Sequence, residues 1–418
     1  MKLMDISQDR IVKTKMFFFY LLVESSINYF YHIVYLYSHN FCYNMYLEGD
    51  TMRVLVSGGG TGGHFYPALA IARCFKKEMG SDILYVGGKR GVEYHFNWKN
   101  EGIRHAHLSI RGINRKIFTL WNIYAFFEAL TAFFKSFAVI TEFKPDLVIG
   151  TGGYVCGPVL LAAYLMGKKI YLQEQNVYPG LTTRLLSPHA KKIFLAFKES
   201  IDYLPKRVKK KCVIIGNPIR DEFFQAKDKD EIYHRFNMDK DKFTVLVFGG
   251  SKGAKVINDI MLSVYSIFDK EEKNIQFVHI TGLEDYPVFL KHINLNELKV
   301  NILSYSDDIY DLYAIADLVI CRSGALTISE IVAARVPSIL IPYPYAAEHH
   351  QEYNAVLLSR QGAGLMIKEE ELSDHTLIET IRILIRNKVR RDRIKKKLGE
   401  FKVTSASEIV KEMVKDKI

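Results

Sequence analysis

From Met52 onward, short apolar runs alternate with amphipathic stretches, and each run ends in turn residues. The first series of runs is RVLVSG (53–58), ILYVGG (83–88), DLVIGTGG (146–153), KIYLQEQN (169–176) and CVIIGNP (212–218). A second series lies at 244–254, 277–282, 301–305, 318–325 and 338–344. Short apolar runs separated by helices are typical of parallel sheets covered on both faces. The pattern predicts two Rossmann-like domains that meet near residues 216–220. Ligands bind outside the carboxyl ends of such strands, so we expect the site in the cleft between the domains.

The glycine-rich turn in VLVSGGGTGGHFYPALA (54–70) is the strongest local signal. Glycines allow a backbone to approach a ligand closely, and the N-terminus of the following helix attracts anions. We therefore expect a phosphate beside His64. An ordinary tight strand-to-helix turn is the alternative interpretation.

Two familiar nucleotide motifs fit this turn poorly. Gly58, Gly60 and Gly63 satisfy the dinucleotide pattern G-x-G-x-x-G, which is weak evidence alone. A dinucleotide fold also needs an acidic residue after its second strand, where this chain has Lys89. A Walker loop is disfavoured because no Lys-Ser/Thr pair closes the turn.

Composition narrows the choice of partners. The chain has 418 residues and a formal net charge of +11, which favours nucleic acid, nucleotide phosphates or an anionic membrane as partner. The basic runs at 205–211 and 387–397 lack interleaved aromatic residues, so we expect no nucleic-acid binding. The five cysteines have no metal-ligand spacing, so we predict neither a metal site nor a disulfide framework.

Residues 1–51 differ from the rest of the chain. The segment 16–37 is rich in aromatic residues but is interrupted by polar ones. We interpret 1–51 as an atypical extension, either a start-site artefact or a membrane anchor.

Three motifs in the second half could hold a sugar nucleotide. GGSKGA (249–254) forms a second anion-binding turn that includes Ser251. RSGALTISE (322–330) places Glu330 on a helix. Its carboxylate could accept hydrogen bonds from ribose hydroxyls, or it could be an acid near a helix start that the helix dipole stabilises. HHQEYN (349–354) offers imidazole and amide groups suited to sugar hydroxyls.

These motifs, together with TGGYVCGP, QEQNVYPGLTTR, GNPIR and DDIYDLYAIADLVICRSGALTISE, occur in the order seen in the MurG family. The chain resembles this family from Met52 to about Gly364. The resemblance implies a GT-B fold and an inverting transfer of N-acetylglucosamine from UDP-N-acetylglucosamine to the 4-hydroxyl of lipid I, which forms lipid II for peptidoglycan. It implies no cofactor, and it implies a peripheral enzyme on the cytoplasmic face of the bacterial inner membrane. The expected domains are an acceptor domain at 52–217, a donor domain at 218–385, and C-terminal helices at 386–418 that pack on the first domain.

The resemblance also implies roles for individual residues. Thr61, Gly62 and Gly63 would face the nucleotide sugar and the acceptor pyrophosphate, and Tyr154 would lie near the acceptor. Asn176 and Arg220 would contact the donor, Ser251 its diphosphate, Glu330 its ribose and Gln351 its sugar hydroxyls. The remaining uridine contacts would come from Ser306, Ala325, Leu326 and Thr327.

The catalytic base stays open between two residues. His64 is the first candidate, and Glu174 is the rival if His64 only orients a phosphate. Relatives commonly have HEQN where this chain has QEQN (173–176), so no histidine at that place can act as acid or base.

The segment 111–137 predicts contact with an anionic membrane, because aromatic residues such as Trp121 and Phe134 are flanked by cations. The alternative is a buried helix whose stripe Phe126, Leu130, Phe133 and Phe137 faces the core. Three other functions remain possible: a related transferase using UDP-galactose or UDP-glucose on diacylglycerol, a non-catalytic nucleotide-sugar module, and an oxidoreductase.

Overall fold

The computed structural model describes residues 51–112, 120–250, 253–271, 274–293 and 300–415. The expected extension at 1–51 therefore lies almost entirely outside the described residues. Two parallel sheets form the framework, which confirms the prediction of two Rossmann-like α/β domains.

The first sheet has seven parallel strands in the order β3-β2-β1-β4-β5-β6-β7. Its strands are β1 (Arg53–Ser57), β2 (Asp82–Gly88), β3 (Arg104–Leu108), β4 (Leu147–Gly150), β5 (Lys169–Glu174), β6 (Lys192–Leu195) and β7 (Cys212–Ile214). Its helices are α1 (Gly62–Met79), α2 (Leu120–Phe143), α3 (Cys156–Leu165) and α4 (Leu181–Leu186).

The second sheet has six strands in the order β10-β9-β8-β11-β12-β13, so the same winding occurs twice. Its strands are β8 (Phe243–Phe248), β9 (Ile275–Ile280), β10 (Val300–Leu303), β11 (Leu318–Cys321), β12 (Ser338–Leu340) and β13 (Leu365–Met366). The helices of this half are α5 (Lys229–Arg235), α6 (Lys255–Glu271), α7 (Tyr286–Phe289), α8 (Ile309–Ile315), α9 (Ala325–Ala334), α10 (His350–Arg360), α11 (Asp374–Arg386) and α12 (Lys388–Leu398).

Alternation along β1 shows how the first sheet is covered on both faces. Val54 and Val56 pack with α1, whereas Leu55 packs on the opposite face with α3. All three side chains are fully buried, as expected for a central strand of a doubly wound sheet.

The C-terminal segment divides between the two domains, which corrects the expectation that all of 386–418 packs on the first. Ile394 and Leu398 of α12 belong to the core of the second domain. The last helix, α13 (Ala406–Val414), instead buries Ile409 and Met413 against the core that contains α1.

In its N-terminal half, helix α2 turns alanines toward the core and aromatic residues outward. Ala125 and Ala132 are buried, whereas Phe126 is 65% and Tyr124 62% exposed. A core-facing stripe running through Phe126 and Leu130 is therefore wrong, although Phe133 and Phe137 are partly buried. The segment Trp121–Phe143, with mean hydropathy 1.6, is long and apolar enough to cross a bilayer by length and composition alone.

Candidate functional site

Two glycine turns pack together at the carboxyl edge of the first sheet. One joins β1 to α1, and the other follows β4 and contains Gly152 and Gly153, whose φ angles are 99° and 81°. A Cβ atom at Gly152 would lie 2.9 Å from Nδ1 of His64, and one at Gly153 would lie 2.1 Å from the carbonyl oxygen of Gly59. Glycine is therefore required at both positions by conformation and by space.

His64 lies in the first turn of α1 with its imidazole held on one side. Nδ1 is 3.0 Å from the carbonyl oxygen of Thr151 and 2.8 Å from Oε1 of Gln175. Both partners are acceptors, so Nδ1 carries the proton and donates. In the neutral ring Nε2 then keeps its lone pair, and among the described residues no hydrogen bond engages it.

The predicted phosphate-facing residues form the start of the same helix. Thr61 is the exposed N-cap residue, and Gly62 and Gly63 open the first turn. Within the described chain, the Thr61 hydroxyl makes no capping hydrogen bond, and the first turn contains no acidic residue. The free N–H groups and the positive end of the helix dipole are therefore open to an anion.

Glu93, which was not predicted as a site residue, holds this glycine turn in place. Its buried carboxylate accepts from the backbone N–H of Gly60 at 3.0 Å and of Gly88 at 2.8 Å. The ring of Tyr154 covers the same turn, because a Cβ atom on Gly60 would lie 2.7 Å from Cε1 of Tyr154. A single acid within a loop gives no sequence signal for such a contact.

Glu174 ends β5, Asn176 follows it, and both are buried. The Glu174 carboxylate accepts from the N–H of Asn176 at 3.1 Å and of Gly180 at 3.0 Å, so it fixes the loop that leads to α4. Oδ1 of Asn176 accepts from Nδ2 of Asn354 in α10 over 3.2 Å. Asn176 therefore connects the two domains, a partnership that the sequence did not indicate.

The predicted uridine residues lie at the start of α9. Ala325 is buried, Leu326 and Thr327 are half-buried, and Oε2 of Glu330 accepts from the Tyr313 hydroxyl at 3.4 Å. Burial raises the pKa of Glu330 to about 7, although Arg220 and Tyr313 act in the opposite direction.

Arg220 connects the segment between the sheets to the loop after β10. Its Nη1 donates to the carbonyl oxygen of Asp307 over 2.6 Å. Ser306, next to Asp307, is half-buried in that loop. Arg220 and Ser306 thus lie on the same side of the cleft as Glu330, whose pKa Arg220 influences. Ser251 lies outside the described residues.

The loop before α10 is strained. Glu348 and His349 have φ angles of 50° and 55°, a left-handed conformation that costs free energy in residues with a side chain and that clusters at binding sites. Oε1 of Gln351 accepts from the N–H of Tyr343 at 3.0 Å, which orients its amide.

Residues of the first domain lie near the start of α10 in the second domain. Burial lowers the pKa of His350, and the proximity of His64 adds to that effect. His64 in the first domain and His350 at the start of α10 are therefore close enough for their charges to interact. No group of three or more His, Cys, Asp or Glu side chains arranged to hold a metal ion occurs among the described residues.

Both domains match known protein families. Residues 54–195 match the glycosyltransferase family 28 N-terminal domain, and residues 244–413 match the glycosyltransferase family 28 C-terminal domain. Together these two matches cover most of the chain.

Curated relatives match most of this chain and nearly all of their own length. A protein of Caldanaerobacter subterraneus subsp. tengcongensis named UDP-N-acetylglucosamine--N-acetylmuramyl-(pentapeptide) pyrophosphoryl-undecaprenol N-acetylglucosamine transferase is 41% identical over 87% of this chain and 99% of its own length. A protein of the same name from Thermoanaerobacter sp. is 40% identical over 80% of this chain and 92% of its own length.

A solved structure shares the fold. The crystal structure of Acinetobacter baumannii MurG superposes with a TM-score of 0.69 at 24% identity, covering 88% of this chain and all (100%) of that one. The two parallel-sheet domains therefore form a GT-B fold, as predicted. The chain belongs to glycosyltransferase family 28 and, within it, to the MurG family.

Proposed function

We propose that this protein transfers N-acetylglucosamine from UDP-N-acetylglucosamine to the 4-hydroxyl of the N-acetylmuramyl group of lipid I, forming lipid II. The observation that carries the proposal is the position of His64. Its Nε2 lone pair is open at an uncapped helix start, opposite the domain that carries Glu330 and Gln351. Near-complete coverage of relatives named for this transfer supports it.

The donor fits the second domain. The start of α9 would take the uridine, with Ala325, Leu326 and Thr327 against the nucleoside and Glu330 accepting from the ribose hydroxyls. Backbone near Ser306 would read the uracil edge. Gln351, already oriented by the Tyr343 N–H, would bind the sugar hydroxyls, and Ser251 would contact the diphosphate.

The acceptor fits the first domain. Its pyrophosphate would lie at the start of α1, against Thr61, Gly62 and Gly63, with Tyr154 beside it. This placement brings the acceptor sugar next to His64.

His64 would act as the general base. Nε2 takes the proton of the acceptor 4-hydroxyl while that oxygen bonds to the anomeric carbon of the donor. The bond from the anomeric carbon to the UDP oxygen breaks on the opposite face, so the configuration inverts. The positive charge of Arg220 and helix N-termini would stabilise the leaving diphosphate.

Glu174 suits a different role. Both of its oxygens already accept from backbone N–H groups of its own loop, and its side chain is buried. A base needs a lone pair within reach of the substrate. We therefore propose that Glu174 holds the loop that contains Asn176. The proton transfer is assigned to His64.

A donor panel tests the proposed function. Purified protein would receive lipid I with UDP-N-acetylglucosamine, UDP-glucose or UDP-galactose, and the lipid product would be measured by mass. We expect efficient transfer only from UDP-N-acetylglucosamine. Preference for UDP-glucose or UDP-galactose, with diacylglycerol as the better acceptor, would support the related transferase instead.

We further propose that α2 rests on an anionic membrane surface, at the cytoplasmic face of the inner membrane. Trp121, Phe126 and Leu130 are exposed, and Leu165 of the adjacent α3 extends the apolar area. The small residues of the opposite side pack on the core, which suits shallow insertion rather than spanning.

Two arginines accompany this apolar face. Arg90 and Arg111 both bond to the Glu128 carboxylate, with N–O distances of 3.0 and 2.8 Å, and lower the pKa of Glu128 to about 2. Two cations around one carboxylate leave a local positive charge beside Trp121, which suits anionic headgroups.

Vesicle sedimentation tests the membrane proposal. Trp121→Ser combined with Phe126→Ser should weaken binding to anionic vesicles, while Leu283→Ser, an equally exposed leucine of the second domain, should not. Unchanged binding of the double variant would contradict the proposal.

A further inference from the structure

The orientation of His64 depends in part on a glutamine that follows β5. Oε1 of Gln175 is 2.8 Å from Nδ1 of His64, and this is the shorter of the two contacts that Nδ1 makes. Gln175 is fully buried, and 111 residues separate it from His64 in the chain.

The amide of Gln175 is itself fixed in one orientation. Its Nε2 donates to the carbonyl oxygens of Thr151 at 2.8 Å and of Gln173 at 3.2 Å. Carbonyl oxygens only accept, so the opposite amide orientation would place Oε1 against two acceptors and lose both bonds. Oε1 must therefore face His64.

We propose that Gln175 is a positioning residue for the transfer, which holds His64 in the Nδ1–H tautomer with Nε2 toward the acceptor hydroxyl. The inference rests on the proposed function, because it gives the orientation of His64 a catalytic consequence. A neutral amide supplies orientation without adding a charge beside the base.

The same amide chain continues into the donor domain. Gln173, which Gln175 also contacts, donates through Nε2 to Oδ1 of Asn217 at 2.9 Å. Nδ2 of Asn217 then donates to Oγ of Ser329 at 2.9 Å, and Ser329 lies on α9 next to Glu330. These buried side chains join the base in the first domain to the helix proposed to bind uridine in the second.

Gln175→Met tests the proposal, because methionine has a similar length but cannot accept as Oε1 does. We expect kcat to fall at least about tenfold but by less than in His64→Ala, since a general base contributes roughly 10²–10⁴-fold. The KM values of both substrates should stay near those of the wild type. Gln276→Met is the matched control, because Gln276 is a buried glutamine of the second domain whose amide makes three hydrogen bonds.

A second variant separates positioning from a general loss of structure. In a His64→Ala background, Gln175→Met should change kcat by less than about twofold, because its effect passes through the missing imidazole. An equal loss in both backgrounds would overturn the proposal.

The tautomer gives a readout that does not depend on activity. In protein labelled with 15N-histidine, the His64 signals are those lost in His64→Ala. They should report Nδ1–H in the wild type and in Gln276→Met, and a smaller fraction of Nδ1–H in Gln175→Met, where the Thr151 carbonyl is the remaining acceptor. An unchanged Nδ1–H signal in Gln175→Met would also overturn the proposal. Absence of transfer by the wild type would instead count against the proposed function.

Discussion

Nδ2 of Asn354 in the second domain donates to Oδ1 of Asn176 in the first over 3.2 Å, and Oδ1 of the same Asn354 accepts from the N–H of Val177 at 3.0 Å. Tyr178 and Tyr353 stack beside this pair with centroids 4.8 Å apart. One buried asparagine thus joins the start of α10 to the loop after β5.

Asn354→Ala should lower stability and weaken donor binding together. It leaves the buried N–H of Val177 and the carbonyl oxygen of Ser323 without their partner, a cost of about 1–3 kcal/mol per buried group. The free energy of unfolding in urea and the KM for UDP-N-acetylglucosamine measure the two effects. Asn301→Ala, which breaks a bond within the second domain, should leave that KM unchanged. A normal KM in Asn354→Ala would show that the contact between the domains does not shape the donor site.

His64→Ala should lower kcat by roughly 10²–10⁴-fold, as expected for loss of a general base. UDP affinity should stay nearly unchanged, because the proposed donor site lies in the other domain. Turnover and calorimetric titration with UDP measure the two quantities. Turnover like that of the wild type would remove His64 from the chemistry and return Glu174 to consideration.

Glu93→Gln should impair the acceptor side selectively. Oε1 accepts from the Gly60 and the Gly88 N–H, and Oε2 accepts from the Gly60 N–H at 3.0 Å. In the glutamine an NH2 group replaces Oε2, so a donor faces the Gly60 N–H and the glycine turn loses a support. We expect a raised KM for lipid I and an unchanged KM for the donor. A change confined to the donor KM would contradict the assignment of this turn to the acceptor.

The binding of uridine should strengthen as pH rises through the pKa of Glu330. Burial raises that pKa to about 7, so the carboxyl is largely protonated near pH 6 and ionised near pH 8. The ionised carboxylate accepts from both ribose hydroxyls with charged oxygens, whereas protonation converts one oxygen into a donor and weakens this contact. Affinity should therefore rise by up to about tenfold over this range. Uridine is the suitable probe because it has no phosphate to titrate. Glu330→Gln should abolish the dependence, and an affinity independent of pH in the wild type would place the ribose elsewhere.

Acid should destabilise the second domain through His279. This fully buried ring accepts from the Tyr265 hydroxyl and contacts Oδ1 of Asn258, and burial lowers its pKa to about 3. Because the unfolded chain takes up a proton near pH 6.5, stability is complete above that pH and is lost as pH falls toward 3. Between pH 7 and pH 5 the free energy of unfolding should fall by about 2 kcal/mol. The loss should be smaller in His279→Gln but unchanged in His292→Gln, which alters an exposed histidine.

The sequence predicted those parts of the site that are local in the chain. A strand, a glycine turn and a helix start lie within 17 residues at 54–70, so their relationship to His64 could be inferred directly. The supports of the same turn come from far away. Glu93 reaches Gly60 across 33 residues, and Gln175 reaches His64 across 111. Only the winding of the sheet brings these groups together.

Some elements were missed because their patterns are weak. Strand β3, with the sequence RHAHL, carries imidazoles and arginine on the edge of the sheet, and β13 has two residues. The N-terminal half of helix α2 shows the opposite difficulty, since Ala125 and Ala132 are buried there while Tyr124 and Phe126 are exposed. Hydrophobic periodicity alone therefore predicts the wrong buried face for this part of the helix.

The most direct test is the transfer reaction itself, followed to the configuration of its product. Purified protein would be given lipid I and UDP-N-acetylglucosamine labelled in the sugar, and the linkage in the extracted lipid would be assigned by NMR. The account predicts a β-linked N-acetylglucosamine on the 4-hydroxyl of the muramyl sugar. An α-linked product, or no labelled lipid where a MurG enzyme of known activity gives one, would contradict it.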